Sequence, residues 1–120
     1  PKTTKVPPMD RAWYVLAVDE TGLPGAQSWL EQLPAGPAVH VLAEVGGPAD
    51  EIALPDHPGA RVTWLHRGDT PAGTSTLLAD AVREALTAVP DDAEGWLWAA
   101  AEATVVRVIR GHVSERGLDK

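Results

Sequence analysis

The chain contains no cysteine and no phenylalanine, and only one methionine and one tyrosine. Without cysteine there is no disulfide, no thiolate zinc site and no iron-sulfur ligation, so nothing in the sequence fixes a redox compartment. Basic residues are scarce as well: ten Lys and Arg against seventeen Asp and Glu give a formal net charge of −7. That balance argues against a general nucleic-acid binder and against a protein that lies on an anionic membrane, since both need a basic footprint. A phosphate ligand would have to be held by local groups against the overall field. No apolar run approaches the roughly 20 residues of a membrane span, and the first residues lack the apolar core of a signal peptide. A cytoplasmic location is the expectation. The histidines at 40, 57, 66 and 112 show no metal-ligand spacing, and Ser28, Ser75 and Ser114 have no nucleophile-elbow context. Neither a metal site nor hydrolase chemistry is expected.

What is present suits a single globular domain of 120 residues. Residues 1–10 begin with PKTTKVPP and read as a linker or expression remnant, and residues 11–120 read as the domain. AWYVLAV, Ala12 to Val18, is a continuous apolar run of strand length, as expected of a strand covered on both faces. The turn DETGLPG leads into a short helix, GAQSWLEQL, whose stripe is Ala26, Trp29, Leu30 and Leu33. A second strand is expected at Val39 to Val45, a Gly-, Pro- and acid-rich loop at 46–58, and a third strand at Arg61 to His66. Thr74 or Ser75 would cap a helix running to about Val89, with Leu77, Leu78, Ala81, Val82, Ala85 and Leu86 as its buried face. A turn at Pro90 to Gly95 precedes a buried strand, Trp96 to Ala100, which runs almost directly into a last helix starting near Glu102. Arg107 and Arg110 fall on that helix's solvent face. Trp13, Trp29, Trp96 and Trp98 are expected in the core, with Trp64 the tryptophan whose exposure is open.

Strands that alternate with helical stripes predict a three-layer, doubly wound parallel sheet, Rossmann-like, with strand order 3-2-1-4. The switch point then lies between the first and fourth strands. The DETGLP turn and the AAEA turn meet there, and the start of the last helix offers unpaired N–H groups and a dipole that favours an anion. Arg67, just after the third strand, is the side chain best suited to a phosphate, because a guanidinium fork matches phosphate oxygens. His66 lies beside it.

WAAAEATVVRVIRGHVSERGLD, together with DETGLP and VTWLHRG in the same order along the chain, resembles the siderophore-interacting proteins. These are flavin-dependent ferric-siderophore reductases of the ferredoxin reductase superfamily. The resemblance runs from about Trp13 to Asp119 and covers only the carboxyl-terminal, NAD(P)H-binding half of such proteins. It implies NADPH or NADH as cofactor, bound by Asp19, Glu20, Thr21 and Pro24 of the first turn, by Arg67, and by Ala101 and Glu102 of the second. FAD would be carried by an absent domain, so a flavin-binding domain or partner chain is implied, and a ferric siderophore is reached only indirectly. By itself the domain is not expected to complete the oxidoreductase reaction. Val18 and Ala101 stand where the family pattern has glycine. Both add bulk at the turns that would line the cofactor, which leaves a second reading open: a non-catalytic module of the same ancestry that acts through self-association or a partner.

Overall fold

In the computed structural model, which describes residues 8–89 and 94–116, the order of elements is β1 (Trp13–Val18), α1 (Leu23–Gln32), β2 (Ala38–Val45), a 3-10 turn (Pro48–Asp50), β3 (Ala60–His66), α2 (Leu77–Ala88), β4 (Gly95–Ala100) and α3 (Ala103–Arg116). All strands are parallel and ordered β3-β2-β1-β4, as the alternating pattern predicts. The leader at 1–7, most of the 90–95 turn and residues 117–120 lie outside the described residues.

Strand alternation divides the core in two. Tyr14, Leu16 and Val18 of β1 turn to one face with Leu23, Ala26, Leu30 and Leu33 of the α1 segment, and Trp13, Val15 and Ala17 turn to the other with α2 and α3. β1 is fully buried because it is central and covered on both sides. β4 pairs with β1 and, among the described residues, with no other strand, so it is half-buried along its length where a buried strand was expected. Three tryptophans clamp α1 to that side of the sheet: Trp29 meets Trp96 and Trp98 edge to face, with ring centroids 5.2 and 5.6 Å away. Trp13 is buried, and Trp29, Trp64, Trp96 and Trp98 are half-buried.

The α2 start departs from expectation. The helix begins at Leu77 with Thr76 as its cap residue, and Ser75 Oγ accepts from the Leu77 N–H at 3.1 Å. Leu77 fits the helical stripe but is the first residue of the helix and is exposed. Leu78, Val82 and Leu86 carry the packing. No helix among the described residues is long and apolar enough to cross a membrane.

Candidate functional site at the carboxyl edge of the sheet

The paired ends of β1 and β4, Val18 beside Ala100, bring the two turns together. The Asp19 N–H donates to the Ala100 carbonyl at 3.2 Å, and the Gly22 N–H closes the first turn onto the Asp19 carbonyl at 3.0 Å. α1 then starts at Leu23 with Pro24 in its first turn, where the missing N–H costs nothing. Pro24 is exposed.

Asp19 is buried, and its carboxylate joins the two turns. Oδ1 accepts from the Thr21 N–H at 2.9 Å and the Thr21 hydroxyl at 2.6 Å, and Oδ2 accepts from the Glu102 N–H at 3.2 Å. Glu102 is the cap residue of α3, since its carbonyl takes the first helical bond, from Val106. An acid in the turn after β1 therefore already answers one of the open donors at this helix start. Thr21, which the resemblance implies as a cofactor contact, gives both its hydroxyl and its N–H to Asp19. The Glu102 side chain is exposed and lies along the loop after β3, where Gly73 approaches it and Thr104 Oγ1 donates to the Gly73 carbonyl at 3.0 Å.

The two bulky replacements do not fill the crevice. Val18 is wholly buried on the α1 face, and Ala101 packs against the α2–α3 core. The tight approach is at Gly22, where an added Cβ would run into the Ala100 carbonyl oxygen and lie 2.9 Å from the Cβ atoms of Ala100 and Val18. Backbone meets backbone at this point, and only glycine permits it.

The other half of the edge is built around Arg67. Its Nη2 donates to Glu20 Oε2 at 2.7 Å, and the same oxygen accepts from the Gly46 N–H at 3.0 Å. Nη1 is buried, makes no hydrogen bond and lies 3.8 Å from Glu44 Oε2. The Arg67 and Glu44 side chains are only 12% and 4% exposed, whereas Glu20 is 37% exposed. Burial pushes the Glu20 carboxyl upward, but the Arg67 hydrogen bond, backbone N–H groups and the Arg67 charge together hold it below its ordinary value. His66 points away from this group, to Glu51, at 2.6 Å.

Thus Asp19, Thr21, Ala101 and Glu102 gather at the β1–β4 crevice, and Glu20 and Arg67 meet between β1, β2 and β3. Glu44 and the Gly46 N–H belong to the site and were missed. An acid inside the apolar run VHVLAEV, one strand before an arginine, is the signal that could have found Glu44.

The sequence profile of the siderophore-interacting protein family matches residues 11–120. The chain belongs to the siderophore-interacting protein family. A siderophore utilization protein from T. fusca superposes with a TM-score of 0.82 and 38% identity, over 92% of this chain and 41% of its own. The siderophore-interacting protein from Acinetobacter baumannii superposes with a TM-score of 0.79 over 100% of this chain and 47% of its own, and at 21% identity it speaks for the fold alone. An uncharacterized protein of Mycobacterium tuberculosis is 32% identical over 115 residues, 89% of this chain and 40% of that protein. The chain thus spans about two fifths of these relatives' length. Family membership carries a siderophore-related role. A dinucleotide pyrophosphate, the ligand that the sequence resemblance implies, would be sought at the α3 amino terminus. The start of α3 fits one poorly: Asp19 already takes the Glu102 N–H, and Gly22 lies so close to the Ala100 carbonyl that even a Cβ would not fit there. The Arg67–Gly46 group has donors that suit a phosphate, with Glu20 in their place.

Proposed function

We propose that this domain is the NAD(P)H-binding half of a siderophore-interacting, flavin-dependent ferric-siderophore reductase that serves iron acquisition. A flavin-binding domain or partner chain would complete the enzyme, and the ferric siderophore would be reached through it. The observation that carries this reading is the 3-2-1-4 sheet with both turns at its switch point, in a chain matched by the family over 110 residues, 11 to 120. Open α/β sheets bind ligands at that place, outside the carboxyl ends of the strands. In this domain the donors suited to a dinucleotide phosphate are those of Arg67 and Gly46 rather than the start of α3. Titrating NADPH and NADH into the chain while following tryptophan emission tests the reading. Saturable quenching at micromolar to low millimolar ligand is expected, and a flat response to both cofactors would overturn it.

One observation favours the second reading, a module of the same ancestry that has lost its cofactor and acts through self-association or a partner. Asp19 and Glu20 occupy from within the positions that a ligand's charges would take. A flat titration, joined to a concentration-dependent sedimentation coefficient, would establish that alternative.

A further inference from the structure

Glu20 and Asp19 are neighbours in one turn, yet their carboxylates are held very differently. Asp19 is 5% exposed and accepts three hydrogen bonds, one of them from an element 83 positions away. Glu20 is 37% exposed along its side chain, and a single oxygen, Oε2, takes both of its partners, the Gly46 N–H and Arg67 Nη2. The guanidinium it meets is nearly buried and fixed from below by Glu44, and Nη1 has no hydrogen bond. A backbone N–H and an oriented guanidinium N–H together form an anion receptor, now filled by one oxygen of a partly exposed side chain.

We propose that Gly46 N–H and Arg67 form a phosphate site in which Glu20 is a displaceable gate, while Asp19 is a fixed part of the fold. The ligand class is a phosphate or pyrophosphate group. That it belongs to a nicotinamide dinucleotide rests on the function proposed above. A phosphate has oxygens enough to take the Gly46 N–H and Nη2 on separate atoms, which one carboxylate oxygen does not do, while Nη1 stays turned to Glu44. Entry is an exchange: the Glu20 carboxylate swings to solvent, and its ion pair is replaced by that of the ligand. Wild-type affinity is therefore lowered by the competing carboxylate, in the way a ligand is weakened by any state that must first be vacated.

The test is an amide chemical-shift titration of the 120-residue chain with inorganic pyrophosphate, and in parallel with NADPH and NADH, using wild type, Glu20→Ala and Glu20→Gln. Glu84→Gln, an exposed change of the same charge on α2, controls for the overall field. Glu20→Ala is expected to bind pyrophosphate about tenfold more tightly than wild type, as loss of one competing charge-assisted contact implies. Glu20→Gln should lie between them, Glu84→Gln should match wild type, and the Gly46 amide should move most. Arg67→Lys in the Glu20→Ala background keeps the charge that answers Glu44 but loses the fork, and it should reverse most of the gain. The gate is refuted if Glu20→Ala and wild type bind pyrophosphate equally, if Glu84→Gln gains as much, or if the shifts centre away from Gly46 and Arg67. Should pyrophosphate bind as expected while neither dinucleotide does, the gate stands and the dinucleotide reading falls. Should a dinucleotide bind wild type and Glu20→Ala equally well, that reading stands and the gate falls.

Discussion

Removing the Asp19 carboxylate should loosen α3 from β1 while leaving both hydrophobic cores intact. In Asp19→Ala the Thr21 N–H and hydroxyl and the Glu102 N–H lose their acceptor. Thr21 and Glu102 are exposed residues, so water can replace part of what is lost, and the full cost of an orphaned buried donor does not apply. Loss of a helix cap costs about 1 kcal/mol, a charge-assisted hydrogen bond in the turn about 1–2, and the dipole interaction about 0.5, so the expected destabilisation is about 3 kcal/mol. Asp19→Asn is a sharper probe. The two oxygens face different elements, Oδ1 toward Thr21 and Oδ2 toward Glu102, and an amide has only one acceptor. Whichever way it is flipped, one side is lost, for about 1–2 kcal/mol. Urea unfolding of the chain followed by tryptophan emission measures both, and a change of 3 kcal/mol moves the midpoint by more than about 1 M at an ordinary slope. Hydrogen exchange at the Glu102 amide provides the local measure and should quicken in both variants. An Asp19→Ala protein with an unchanged midpoint and unchanged Glu102 exchange would refute the role given to this carboxylate.

Two glycines should respond oppositely to alanine. Gly22→Ala drives a methyl group against the Ala100 carbonyl and should cost about 2–3 kcal/mol by thermal unfolding, whereas Gly111→Ala, in α3 with nothing within 4 Å of its added Cβ, should gain about 0.5–1 kcal/mol. Because the folded-state Glu20 carboxyl lies below its ordinary value, its contribution to stability is present above the unfolded value and is lost as pH falls through the folded one. Glu20→Gln should therefore flatten the acid limb of a stability-versus-pH curve in the pH region below about 4.5, and an unchanged acid limb would contradict the ion pair. Burial, and then the charge of Arg61, lower the proton affinity of His40, whose Nδ1 faces Arg61 Nη2 at 3.1 Å and whose Nε2 faces Thr63 Oγ1 at 2.9 Å. The unfolded chain then takes up a proton at this side chain before the native one does, so stability falls as pH drops below about 6.5. His40→Gln should remove that part of the decline, and a proton NMR titration should place the His40 midpoint below that of an unfolded-chain histidine.

The order and direction of the strands were legible because they are set by local pattern: apolar runs of strand length alternating with helical stripes leave few parallel topologies. Trp29 and Trp98 were likewise legible as packing residues, although their edge-to-face pairing was not. The start of α2 was not, because Thr74, Ser75 and Thr76 are chemically alike and any of them makes a plausible cap. The site was legible as a place and illegible as a network. That residues 19–24 would meet 100–102 follows from strand order, but which donors Asp19 and Glu20 would meet depends on contacts 83 and 47 positions apart. Val18 and Ala101 show the same limit. Their size is visible in the sequence, whereas the face to which each side chain turns depends on the pleat and the turn geometry, which bury Val18 on one side of the sheet and set Ala101, partly buried, against the core on the other.

The properties that make the edge of such a sheet attractive to a ligand's anion act first on the chain itself. A helix start with open N–H groups and a guanidinium between strand ends lower the energy of any carboxylate within reach, and the sequence places two in succession there. Affinity for an outside anion is then the difference between two occupancies, and the internal one is favoured by its high effective concentration. Asp19 and Glu20 differ in how much that difference amounts to. Displacing Asp19 would break three hydrogen bonds and draw a buried carboxylate out of the fold, so no ordinary ligand gains enough from one helix terminus to drive it. Displacing Glu20 costs two contacts to one oxygen of a partly exposed side chain and frees both donors for the ligand. Within a single dipeptide, the first acid fixes the architecture of the switch point, and the second sets the threshold that a phosphate must cross.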